Sequence, residues 1–79
     1  MGKDLLLPDE RQPLIWVNPD RIGGEPCFYR TRLPIRSLFE NLERGVSLDE
    51  WLEAFPSVSR EQAVGVLEYA RQRLLEHAA

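Results

Sequence analysis

The chain has 79 residues, of which 43% are hydrophobic and 29% charged, and its net charge is −3. That is one small domain with enough apolar side chains for a core, so a wholly disordered chain is excluded. A single cysteine, Cys27, and a single histidine, His77, leave no internal disulfide and no zinc ligand set, which suits a reducing, cytoplasmic setting.

Residues 1–13 carry two prolines and no sustained periodicity, and read as a flexible N-terminal tail. Their Leu5-Leu6-Leu7 is cut off by Pro8-Asp9-Glu10, far short of a signal-peptide core, and no later run approaches the roughly 20 apolar residues of a membrane helix. Residues 14–79 read as a single domain, with a β arm over 14–33 and a trihelical unit over 34–79. Leu14-Ile15-Trp16-Val17 is an apolar, partly β-branched run that ends at the turn residues Asn18-Pro19-Asp20, as a strand does. After Gly23-Gly24, Cys27 to Leu33 reads as a second strand. Its alternation places Phe28, Arg30 and Arg32 on one side and Cys27, Tyr29, Thr31 and Leu33 on the other. Such a ribbon is marginal alone and needs the helices or a second copy to pack against.

From Ile35 the apolar period becomes helical, through Leu38, Phe39 and Leu42, with Pro34 at the first helical position and Gly45 where a C-cap belongs. Ser47-Leu48-Asp49-Glu50 spells a capping box, Leu48, Trp51, Leu52 and Phe55 supply an apolar face, and Pro56 ends the segment. A second box, Ser59-Arg60-Glu61-Gln62, opens the longest helix, whose stripe is Ala63, Val66, Leu67, Ala70 and Leu74. Three helices of roughly 10, 9 and 17 residues with short turns match a helix-turn-helix-like unit. The expected class is therefore mainly α, a short β ribbon followed by a trihelical unit of winged-helix or homeodomain kind.

Asn18-Pro19-Asp20, Gly23-Gly24-Glu25-Pro26 and Thr31-Arg32-Leu33-Pro34-Ile35, followed by Leu38, Leu42, Gly45, Ser47, Glu50 and Pro56, resemble the prokaryotic family called domain of unknown function 433. The resemblance covers about Leu14 to Ala70. It implies a helix-turn-helix-like fold behind a β arm, and an antitoxin that masks a PIN-type nuclease toxin and binds its own operator. One departure stands out. Where that family usually has glycine before the Thr-Arg pair, this chain has Arg30, which would be strained if the site needs a positive φ.

Charge is polarised along the chain. Residues 21–36 hold Arg21, Arg30, Arg32 and Arg36 against Glu25 alone, while both flanking stretches are net acidic. Arg30 and Arg32 on one strand face, with Arg36 starting the next helix, would gather three guanidinium groups suited to phosphate or to the carboxylates of a partner; pairing of Arg32 with Asp20 or Glu25 is the structural alternative. The third helix is a weaker DNA reader. Its outward face bears Glu61, Glu68 and Glu76, which oppose phosphate, and only Ser57, Ser59, Arg60 and Gln62 in its first turn offer suitable donors. Trp16, placed on an edge strand, and Leu14 beside it are the candidate partner contacts.

No residue set carries catalysis. Cys27 reads as a buried inert thiol, His77 as a solvated helix-end residue, and Gly23-Gly24 lacks the form of a phosphate loop. The expectation is a non-enzymatic homodimer without cofactor, metal, membrane or small-molecule substrate. It would bind a nuclease toxin and its operator DNA, and so regulate its own transcription. The alternative is a protein-interaction module without DNA affinity.

Overall fold

The structure is a computed structural model. It describes residues 4–20 and 22–78, without the side chains of Ile22, His77 and Ala78, so the readings of Arg21 and of the His77 side chain lie outside the described residues. Three short strands, β1 (Leu5–Leu7), β2 (Ile15–Val17) and β3 (Cys27–Phe28), precede three helices, α1 (Ile35–Glu43), α2 (Leu48–Ala54) and α3 (Arg60–Ala78). The sheet is antiparallel in the order β1-β2-β3, with Leu7 opposite Ile15 and Ile15 opposite Phe28.

The expected two-stranded ribbon is thus a three-stranded sheet, because residues 5–7 of the supposed tail pair with β2. Local chemistry returns the chain for that pairing. Asp9 Oδ1 accepts from the N–H groups of Arg11 and Gln12 at 2.9 and 3.0 Å, an Asx-type turn, and the Leu14 N–H donates to the Leu7 carbonyl at 2.7 Å. The period-2 signal of a three-residue strand, cut off at Pro8, is too short to read.

The second strand is shorter than its alternation suggests. β3 stops at Phe28, and Arg30 follows with φ +65°, a left-handed conformation that bulky L-residues rarely adopt. The chain then closes on itself: the Thr31 hydroxyl and N–H both donate to the Phe28 carbonyl, Thr31 Oγ1 accepts from the Leu33 N–H, and the Phe28 N–H donates to the Leu33 carbonyl, all within 3.0 Å. Arg30 and Arg32 therefore do not share a strand face.

The helices follow their local signals closely. Pro34 is the N-cap of α1, one residue earlier than its expected place inside the helix. Gly45, at φ +90°, ends that helix in a Schellman arrangement, its N–H donating to the Leu42 carbonyl and that of Val46 to the Asn41 carbonyl. The Ser47–Glu50 capping box forms in both directions at 3.1 and 3.2 Å. The Ser59 box forms in one direction only. Ser59 Oγ accepts from the Gln62 N–H at 3.0 Å, but the Gln62 amide reaches across the molecule to the Leu14 carbonyl at 3.1 Å and the Tyr29 carbonyl at 3.4 Å.

The core gathers around Trp51, which is 1% exposed, with Phe28, Leu38, Val58, Ala63 and Val66. Phe28 and Phe55 tilt against the Trp51 ring at centroid distances of 5.4 and 5.0 Å, and the indole N–H reaches Ser37 Oγ at 3.3 Å. No helix among the described residues is long and apolar enough to cross a membrane.

Candidate functional site

The arginines expected to cluster are dispersed. Arg36 Nε lies 3.0 Å from Glu25 Oε1, so it is Arg36, not Arg32, that ties the arm to its own glutamate. Arg30 leaves the sheet in its left-handed turn and sets its guanidinium 5.5 Å from the Tyr29 ring centroid. There it lines a shallow polar cleft with Ser57, Ser59 and Glu61 at the start of α3. Arg32 is exposed and makes no ion pair with a described residue. Arg60 is engaged by Asp49, and both amide hydrogens of Gln62 face backbone carbonyls. Of the six residues expected to meet DNA, Arg30, Ser59 and Gln62 share one cleft, Arg36 stands elsewhere, and only Arg30 and Arg32 are cations without a carboxylate partner among the described residues.

Trp16 and Leu14 work inside the chain. β2 is the central strand, not an edge, because β1 covers its outer side. The Trp16 indole donates to the Thr31 carbonyl at 2.8 Å and meets the Tyr29 ring edge-on at 5.3 Å, holding the turn that carries Arg30. Leu14 lies over Gly65 of α3 so closely that a Cβ there would come within 2.9 Å of Leu14 Cδ1. Gly65, with no side chain of its own, is thus the notch in which the sheet seats.

One apolar surface feature was announced by no sequence pattern. A groove of about 500 Å³ runs between the sheet, α1 and α3, lined by Leu7, Pro26, Ile35, Phe39, Tyr69 and Ala70 and rimmed by Glu25, Arg36 and Arg73. Beyond it α3 continues past its neighbours, with Leu74 72% and Leu75 56% exposed. The signal that points to it is a mismatch of length: the 19 residues of α3 span about 28 Å against about 14 Å for α1. An apolar stripe extended to Leu74 must therefore outrun anything that could cover it.

Ion pairs decorate that free end. Glu68 accepts from Arg71 Nε at 3.1 Å, and this hydrogen bond holds the Glu68 carboxyl below its ordinary value while raising Arg71. Arg73 lies 3.7 Å from Glu76 and 5.9 Å from the Tyr69 ring centroid. Cys27 is buried, and its thiol donates to the Glu25 carbonyl at 3.4 Å. Among the described residues no three His, Cys, Asp or Glu side chains are grouped to hold a metal ion.

A family model described as "Protein of unknown function (DUF433)" matches residues 15–70. The matched stretch opens with β2 and closes at Ala70, so β1 and the last two turns of α3 lie outside it. No curated protein and no solved structure matches the chain.

Proposed function

The chain belongs to the DUF433 family, and from that premise we propose that it is a small binding module, acting by stoichiometric association as an antitoxin-like partner of a PIN-type nuclease rather than by catalysis. The observation that carries this reading is the apolar groove with the exposed Leu74 and Leu75 beside it. Apolar surface left open next to charged rims is characteristic of protein contact, and phosphate would find no donors on its floor. Mixing the chain with a PIN-type nuclease encoded beside its gene is the test. A complex of fixed stoichiometry with loss of nuclease activity is expected, and failure to associate at about 10 μM would count against it.

Operator binding is a second reading, favoured by Arg30 and Arg32. Taken as a helix-turn-helix unit, the three helices would bring the start of α3, with Ser59, towards DNA beside these two cations. Arg30 stands at φ +65°, where glycine would be easier by about 1 kcal/mol. Arg30→Gly is therefore expected to raise stability in urea while weakening DNA binding in gel-shift series at two salt concentrations, since a protein that neutralises fewer phosphates shows a flatter salt dependence. Unchanged DNA binding would remove Arg30 from the contact with DNA, and no binding by either protein leaves a protein-interaction module without DNA affinity.

A further inference from the structure

We propose that the groove is filled by α3 of a second copy of this chain, the two helices crossing antiparallel at Ala70 so that each presses its Leu74 into the other's groove. The inference rests on reading the groove as a protein-contact face and names what fills it in the chain alone, an occupant that a nuclease partner would have to displace.

An isologous contact needs one patch that holds both halves of the fit. This patch does: Val66, Tyr69 and Ala70 line the hollow, and Leu74, one turn further along the same helix, projects beside it, 72% exposed. Val66, Ala70 and Leu74 stand in one i, i+4, i+8 row, the row that interdigitates when helices cross. A two-fold axis through Ala70 places Leu74 of one copy level with Val66 of the other, on the groove floor. Ala70 is small enough for the helix backbones to approach there.

Charge does not oppose this occupant: the rim arginines Arg36 and Arg73 are engaged by Glu25 and Glu76 of their own chain, so the incoming leucine meets a rim whose charges are already paired. A domain of this size buries only about 60% of its unfolded surface, and the contact would cover the apolar groove together with the exposed Leu74.

Sedimentation equilibrium on the full chain and on Leu74→Glu tests the assignment. The native chain is expected to be dimeric at about 100 μM and the variant to associate at least about tenfold more weakly, with unchanged circular dichroism because Leu74 makes little contact within its own chain. Oxidation should cross-link Ala70→Cys to itself but not Gln72→Cys, which points to the opposite side of the helix. A native chain that is monomeric at this concentration, a dimer that survives Leu74→Glu, or a dimer without cross-linking through position 70 overturns the proposal. Nuclease inhibition by a strictly monomeric chain would remove this inference and leave the binding-module reading standing. A Leu74-dependent dimer that never inhibits a nuclease would do the reverse.

Discussion

The two halves of α3 use the same residue types to opposite ends. In the first half Ala63 and Val66 are buried, Gly65 receives Leu14, and Gln62 reaches the carbonyls of Leu14 and Tyr29. In the second half the helix continues with its leucines in solvent and its charges paired within a turn, Glu68 with Arg71 and Arg73 with Glu76. A helix needs a core to be placed, but propensity and i, i+3 pairs suffice to extend it once placed. The free half keeps an apolar stripe without having been asked to bury it, and that is the condition for an interface.

The largest test of this contrast is Trp51→Ala. Removing the ring on which α1, α2 and the first half of α3 converge is expected to cost about 3–5 kcal/mol in urea denaturation, and a loss below about 1 kcal/mol would show that the first half is held by something else. A smaller effect separates two glutamines one helix face apart in role. Gln62→Ala leaves the Tyr29 carbonyl short of a donor and should cost about 1 kcal/mol, whereas Gln72→Ala, whose amide meets only the exposed Glu68 at 3.4 Å, should stay within about 0.5 kcal/mol of the native chain. Equal losses would dissolve the distinction between the halves.

The smallest effect is one of pH. Arg71 donates to Glu68 and lowers its pKa from 4.5, so the folded helix binds that proton less readily than the unfolded chain. The contribution is present above the unfolded value and is lost as pH falls through the lower folded one. Helical ellipticity at the end of α3 should therefore decline slightly as pH drops below 4.5, and Glu68→Gln should abolish that part of the titration. A titration identical in both proteins would place the support of the free half outside this pair.

What could be read in advance divides by the reach of the interactions involved. Helix starts and stops were legible because Ser47, Glu50, Ser59 and Gly45 complete their hydrogen bonds within five residues. The Cys27–Leu33 segment misled because alternation over so short a run does not distinguish a strand from a turn through Arg30, and only the family's usual glycine hinted at the positive φ. Trp16 looked like an edge residue because nothing near it announces that residues 5–7 return to cover β2. Gln62, chosen as a donor for DNA, is a brace to a carbonyl 48 residues away. No local pattern reports such a contact.

By itself the amino-acid order determined the three helices, their caps, the absence of a second cysteine or histidine, and the apolar stripe of α3, since propensity, capping and periodicity act within a few residues of the chain. Tertiary structure alone decided which strand is central, that the arginines disperse, that Gly65 is a seat for Leu14, and how far the stripe stays covered. Those outcomes depend on where distant segments meet, and burial is a property of the assembled surface rather than of any stretch along it.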